Sequence, residues 1–134
     1  MGFALDLAQR ITALRYEDLP PDAVHWAKIG ILDTVGVTLA GAPDPMTGIV
    51  GGVTARGSSG GSLVFGRNRR VQAPDAALIN GTASHALDFD DCNNTLGGHP
   101  SAPILPALFA LADETGASGR DFITAYAAGF GTVT

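Results

Sequence analysis

Three aspartates and a histidine crowd one short stretch of the sequence, and their types and spacing suit acid–base chemistry. Asp88, Asp90 and Asp91 lie at the end of an apolar segment, and His99 follows after a polar loop that contains two glycines. Crowded carboxylates repel one another, which favours proton uptake by one of them, and a histidine titrates near neutral pH. Such a loop can fold Asp88 and His99 toward one pocket, where one group removes a proton beside a carboxylate and another protonates a leaving oxygen.

The spacing also leaves a structural interpretation open. In that interpretation Asp88 caps backbone amides in the turn, and His99 simply begins the next helix. His85 lies three residues before Asp88 on the same helical face, so the two side chains could hydrogen-bond. A lone histidine on a face of small residues is nevertheless typical of a structural role, and we assign one to His85.

Metal binding and thiol catalysis are less favoured by this stretch. Counted from Asp88, the loop lacks the glycine and the final glutamate of an EF-hand calcium loop, so we expect no metal ion. Cys92 is the only cysteine, which excludes an internal disulfide. Three adjacent carboxylates disfavour its thiolate, so we do not expect Cys92 to be a nucleophile.

Composition excludes several classes of protein. The net charge of the 134 residues is -5, which argues against nucleic-acid binding because phosphate contacts need clustered Lys and Arg. The apolar runs are too short to span a bilayer, and the N-terminus lacks a secretory cleavage pattern, so we expect no membrane association and a cytoplasmic location. With 46% hydrophobic and only 16% charged residues, part of the apolar surface should be covered by more polypeptide.

The elements that must position the acidic stretch are predicted to be helices. Apolar residues recur at three- and four-residue spacing over residues 3–16 and in a long segment that starts near Pro20 or Pro21. Further helices are predicted over the ranges 74–87, 101–115 and 119–129. Residues 44–56 are only weakly helical because they contain three glycines. A small hairpin is predicted near 62–72, so the fold class is all-α, a helical bundle with one short β-hairpin.

Long ordered motifs in the chain resemble the N-terminal helical domain of the MmgE/PrpD family. They are APDAALINGTASHALDFDD, which starts at Ala73, and GGHPSAPILPALFALADETGASGRDFITAYAAGF, which starts at Gly97. The segments DTVGVTLAG and LVFG agree as well, so the resemblance covers essentially the whole chain. It implies that residues 1–134 are a partial MmgE/PrpD-like helical domain and that the family's smaller α/β lid domain is absent from this chain.

The resemblance also implies a reaction. The family includes 2-methylcitrate dehydratases, cis-aconitate decarboxylases and iminodisuccinate epimerases, which use no cofactor. They move a proton next to a carboxylate of a small di- or tricarboxylate, and they usually pair as homodimers. We therefore expect the N-terminal portion of a lyase or isomerase similar to 2-methylcitrate dehydratase, with no cofactor and no metal.

Site residues follow from the same motifs. By motif position, Asp88 matches the family's active-site aspartate and His99 matches the histidine of its His-Pro motif, so both are assigned catalytic roles. Substrate-binding roles are assigned to four polar neighbours, which are Cys92, Asn93, Asn94 and Ser101. Cys92 stands where a threonine is common in the family, and the loop departs from the pattern of many members, which leaves the choice of carboxylate open.

Two hypotheses about function remain open from the sequence. A carboxylate substrate needs cationic partners, and the loop supplies none, while the family's later histidine and lysine lie outside this chain. The first hypothesis is an enzyme that acts with the remainder of the polypeptide or with a partner chain. The second is a catalytically inactive truncated paralogue that serves as an oligomeric or partner-binding helical subunit. Both predict a homo-oligomer or a missing C-terminal portion against the apolar surface.

Overall fold

The computed structural model describes residues 2–133, and helices make up most of that range. The α-helices are α1 (Phe3–Ala13), α2 (Pro21–Gly41), α3 (Pro45–Thr54), α4 (Ala73–His85), α5 (Ser101–Thr115) and α6 (Gly119–Val133). Strands β1 (Ser62–Leu63) and β2 (Arg70–Val71) pair antiparallel, with Ser62 opposite Val71 and Leu63 opposite Arg70. The all-α bundle with one short hairpin is thus confirmed.

Helix boundaries agree with the sequence signals at most ends. Pro21 opens α2 and Gly116 ends α5 in the left-handed conformation, as expected for these residues. The first helix ends at Ala13 rather than at residue 16, because Leu14 is extended and a short 3₁₀ turn follows over Tyr16–Asp18.

Helix α3 is better formed than its glycines predict. It runs for ten residues, and the Asp44 carboxylate caps it by accepting a hydrogen bond from the Met46 amide at 2.8 Å. Pro45 at the first helical position needs no amide partner there. The cap and the proline start the helix, and its packing against α4 outweighs the low propensity of glycine.

Helix α4 lies at the centre of the bundle and packs against α2, α3 and α5. Its small side chains let the neighbouring helices approach closely, and five of its residues are buried: Ala76, Ile79, Asn80, Ala83 and Ser84. At the crossing with α2, a side chain on Gly41 would collide with the carbonyl oxygen of Ala83. The small residues on both helices therefore permit this close packing.

Polar contacts attach the hairpin to the helices. The buried Asn80 amide accepts a hydrogen bond from the Phe65 backbone amide and donates one to the Leu63 carbonyl, both at 2.9 Å. Ser62 donates to the Ala110 carbonyl at 2.8 Å. These bonds fix the hairpin against α4 and α5.

Many large apolar side chains of α2 and α3 remain in contact with solvent. The name outer apolar face is used here for the exposed apolar side chains of these two helices, which are Trp26, Ile29, Leu32, Ile49 and Val53. Leu39 of α2 is also about half exposed, so the apolar residues of this helix are only partly buried within this chain. Within residues 2–133, no helix combines the length and the apolar character that crossing a bilayer requires.

Candidate active site

The loop after α4 brings its acidic residues back toward the end of the helix. Helix α4 ends at His85, and Asp88 adopts a positive φ of 53°, the left-handed conformation that aspartate tolerates better than most residues. The Asp88 amide donates a hydrogen bond to the His85 carbonyl at 3.1 Å. The chain therefore reverses tightly, so that Asp90 returns to the His85 side chain.

Two imidazoles and two carboxylates meet at this point, and we call them the imidazole–carboxylate cluster: His85, Asp88, Asp90 and His99. Asp90 Oδ1 lies 2.9 Å from His85 Nδ1 and 3.3 Å from His99 Nδ1. Asp88 Oδ1 lies on the other side of the rings, 3.5 Å from His99 Nε2 and 3.9 Å from His85 Nε2. The two rings meet edge to face with centroids 4.6 Å apart.

The two carboxylates differ sharply in exposure. The Asp90 side chain is only 1% exposed, whereas the Asp88 side chain is 78% exposed. Asp90 can therefore orient the rings from inside, and Asp88 is accessible to a molecule that arrives from solvent. The structure brings the predicted pair Asp88 and His99 together; their catalytic roles stay a prediction.

The charges of the cluster favour a protonated His85. Its hydrogen bond with Asp90 is the largest effect and raises the pKa of His85. Burial opposes it, and the negative charges of Asp90 and Asp88 raise the pKa further. Two buried atoms of the cluster, Asp90 Oδ2 and His99 Nδ1, have no hydrogen-bond partner among the described residues. The cluster thus keeps unused capacity for a further polar contact.

A cavity of about 530 Å³ opens beside the two histidines, between α4 and α5. Its other lining residues are small or apolar, and they are Ala77, Leu78, Gly81, Thr82, Ala102, Pro103 and Ala107. Among the described lining residues, His85 and His99 alone can carry a positive charge. The volume lies in the range of small-molecule sites.

The cluster also has the residue types of a metal site, with donor atoms from its four members within 4.8 Å of one another. The direct hydrogen bond between His85 and Asp90 accounts for their close approach without an ion. We therefore interpret the cluster as one hydrogen-bonded imidazole–carboxylate pair, His85 with Asp90, beside which His99 and Asp88 lie. The expected absence of a metal stays a prediction.

The predicted substrate-binding residues of the loop have different surroundings. Cys92 and Asn94 are exposed. The Asn93 side-chain oxygen accepts hydrogen bonds from the amides of Thr95 and Leu96, both at 2.9 Å. Asn93 thus organises the turn through an Asx-type contact, and its substrate-binding role stays a prediction.

Ser101 is fully buried at the start of α5, where it joins two other elements. Its hydroxyl donates to Asp91 Oδ2 at 2.5 Å, and its amide donates to Asp91 Oδ1 at 3.1 Å. The Tyr126 hydroxyl lies 2.6 Å from Ser101 Oγ, and it must be the donor because the serine proton is already used. Burial raises the pKa of Tyr126, which keeps its hydroxyl protonated. This chain of bonds ties the loop to α6.

The chain is thus a helical bundle that carries an imidazole–carboxylate cluster at the end of α4 and in the loop before α5. The profile of the MmgE/PrpD N-terminal domain matches residues 5–133, and the chain therefore belongs to the MmgE/PrpD family. The family assignment made from the sequence motifs is thus confirmed.

Curated relatives carry decarboxylase names. A cis-aconitate decarboxylase-like protein of Aspergillus oryzae is 31% identical over 135 residues, which cover 95% of this chain and 28% of that protein. Human cis-aconitate decarboxylase is 33% identical over 128 residues, 91% of this chain and 26% of that protein. The Aspergillus terreus cis-aconitate decarboxylase is 28% identical, with 96% and 28% covered. The chain spans about a quarter of the length of these relatives.

Sequence reasoning missed the part of Asp90 in the cluster and gave His85 only a structural role. His85 and Asp90 are five positions apart, and no helical spacing rule pairs such residues. They meet because α4 ends at His85 and the backbone reverses at Asp88. The available signal was a second histidine close to three aspartates, which makes His85 more than a lone histidine.

Proposed function

We propose that the chain is the N-terminal portion of a cofactor-independent carboxylate lyase that decarboxylates cis-aconitate or a closely similar tricarboxylate. The observation that carries the proposal is the meeting of two imidazoles and two carboxylates beside a small cavity. The names of the relatives support the choice of substrate, and they favour decarboxylation over the dehydration of 2-methylcitrate.

The contact between Asp88 and His99 suits the proton transfer that this reaction needs. Loss of carbon dioxide breaks a carbon–carbon bond and leaves an electron pair on the unsaturated carbon skeleton, and a proton must then reach carbon. His99 Nε2 lies 3.5 Å from Asp88 Oδ1, so the two side chains are close enough to act on the same substrate. We assign His99 as the proton donor and Asp88 as the carboxylate that positions it.

Turnover by the protein as its source cells make it tests the proposal. We expect loss of cis-aconitate with release of carbon dioxide, and we expect Asp88→Asn and His99→Gln each to lower kcat about 10²-fold or more. His25→Gln is the matched control, since His25 is exposed and contacts Trp26, away from the cluster.

Three outcomes would contradict the proposal in different ways. Dehydration of 2-methylcitrate without decarboxylation of cis-aconitate would show that the proposed reaction is wrong, although the observed one would still belong to the chemistry of the family. Unchanged rates in both variants would remove Asp88 and His99 from the mechanism. If neither cis-aconitate nor 2-methylcitrate is turned over, a non-enzymatic role is favoured.

The outer apolar face supports a second candidate function. Leu32 and Val53 are each 74% exposed, and Ile49 is 68% exposed, which is unusual for large apolar side chains. A helical subunit that forms an oligomer or binds another protein would cover this face. If the protein forms an oligomer but turns over neither cis-aconitate nor 2-methylcitrate, this candidate is favoured over the lyase.

A further inference from the structure

We propose that His85, oriented by the buried carboxylate of Asp90, binds a carboxylate group of the substrate at the cavity. This inference rests on the proposed function, because it takes a small carboxylate as the ligand. It adds a substrate-binding residue and a positioning residue to the site, beside the catalytic assignments of Asp88 and His99.

The cavity needs a cation that His85 can supply. Apart from His85 and His99, its described lining residues are uncharged, and a carboxylate is held best by a charged donor. The arginines nearest in sequence to α4 are occupied elsewhere, since Arg67, Arg69 and Arg70 donate to backbone carbonyls of other segments. His99 is already assigned to proton transfer, which leaves His85 for binding.

Orientation makes His85 suitable for this task. Its Nδ1 is bonded to Asp90 Oδ1 at 2.9 Å, so the hydrogen bond fixes the ring and its opposite nitrogen, Nε2, is free to donate. Asp88 Oδ1 is 3.9 Å from Nε2, which is too far for a hydrogen bond. A substrate carboxylate can therefore approach Nε2 without displacing a bonded partner.

The two carboxylates that face His85 favour its charged form. Asp90 lies on one side of the ring and Asp88 on the other, and the third group that faces it is His99, which packs edge to face. The two carboxylates raise the pKa of His85, with the Asp90 hydrogen bond as the largest cause. An imidazolium at this position offers a charge-assisted bond to an anionic ligand.

The position of His85 also aligns a bound molecule with the proposed chemistry. The ring centroids of His85 and His99 are 4.6 Å apart, and both rings line the same cavity. A carboxylate held at His85 Nε2 keeps the adjoining carbons of a small polycarboxylate within reach of His99. Binding and proton transfer are then divided between neighbouring imidazoles.

The test compares KM and kcat of variants in the protein as its source cells make it, with cis-aconitate as the probe. We expect His85→Gln to raise KM about tenfold or more, with a smaller change in kcat, because one charge-assisted bond to the ligand is lost. His85→Lys should recover part of the loss because it restores a positive charge. His25→Gln, on an exposed histidine outside the cavity, should change neither constant.

The variant Asp90→Asn tests whether Asp90 orients and charges the His85 ring or only maintains the fold. It keeps the size of the side chain and removes the negative charge that supports the imidazolium, so the rise of KM with pH should begin at lower pH than in the unchanged protein. An identical pH profile of KM in Asp90→Asn would overturn the positioning role. An unchanged KM in His85→Gln would overturn the binding role while leaving the proposed decarboxylation intact.

A direct measurement decides the case if no substrate is turned over or if a variant fails to fold. The imidazole ¹⁵N signals of the unchanged protein are recorded while cis-aconitate is added. A ligand-dependent shift of the His85 Nε2 signal would support carboxylate binding even when the proposed reaction has failed. A His85 signal that does not respond at saturating cis-aconitate would overturn the inference.

Discussion

At the scale of single residues, the closest contact of the imidazole–carboxylate cluster links protonation to stability. His85 and Asp90 are 2.9 Å apart, and Asp90 is almost completely buried. A histidine whose pKa is raised by folding stabilises the protein below its unfolded-state pKa, and this contribution disappears as pH rises through the folded-state pKa. The protonation state of His85 therefore affects both the site and the fold.

We expect the free energy of unfolding to fall as pH rises from about 6.5, the ordinary pKa of histidine, through the raised pKa of folded His85. The decrease is small because the His85 side chain is about half exposed and solvent screens its charge. Urea unfolding at a series of pH values measures the effect. His85→Gln should flatten this part of the profile, and an equal slope in the variant would contradict the assignment.

The bonds around Ser101 make a second prediction at this scale. Ser101→Ala leaves the buried Tyr126 hydroxyl without its acceptor and removes one bond from Asp91, so we expect a loss of about 1–3 kcal/mol in unfolding free energy. Ser59→Ala is a suitable control because Ser59 is exposed in the loop before the hairpin. Equal unfolding midpoints for the two variants would rule out a structural role for Ser101.

At the scale of elements, the crossing of α2 and α4 depends on the absence of a side chain at Gly41. Gly41→Ala would place a Cβ against the Ala83 carbonyl. Because the helix backbone there cannot shift easily, we expect the free energy of unfolding to fall by about 1–3 kcal/mol. Gly36→Ala is the matched control in the same helix, where nothing lies within 4 Å of the added atom. It should stabilise the protein by up to about 1 kcal/mol through helix propensity.

Thermal unfolding of the two glycine variants measures this difference. A lower midpoint for Gly41→Ala together with an equal or higher midpoint for Gly36→Ala is the expected pattern. If both variants are stabilised alike, the helices do not cross as closely as the structure indicates.

The elements were largely predictable because their signals are local. Proline at the start of α2 and glycine after α5 mark helix ends through their own backbone preferences. The hairpin near residues 62–72 was likewise predictable, because turn residues lie between two apolar segments there. The length of α3 was harder to predict, because tertiary packing and the Asp44 cap outweigh its glycines.

The candidate site was predictable only in part. Residue types, spacing and motif position all pointed to Asp88 and His99, whereas the contact of His85 with Asp90 depends on a backbone reversal that spacing rules do not describe. The buried position of Ser101 likewise depends on Tyr126, which is 25 positions away along the chain. Local patterns carry no information about such distant contacts.

At the scale of the whole molecule, the outer apolar face predicts association. We expect the 134 residues, produced alone, to self-associate, and Leu32→Glu with Val53→Glu to reduce that association without loss of helical content. Sedimentation velocity compared with circular dichroism measures both properties. A matched pair at exposed polar positions, Gln9→Glu and Thr95→Glu, controls for added charge. Monomers in the unchanged protein would contradict the prediction.

All members of the imidazole–carboxylate cluster come from one continuous stretch, from His85 to His99. Only a short loop must close to bring them together, whereas Ser62 reaches its partner Ala110 across 48 positions. This end of the domain can therefore form as a local event during folding, before the hairpin docks. It can also be inherited as a unit, since one segment with its two flanking helices carries the whole arrangement.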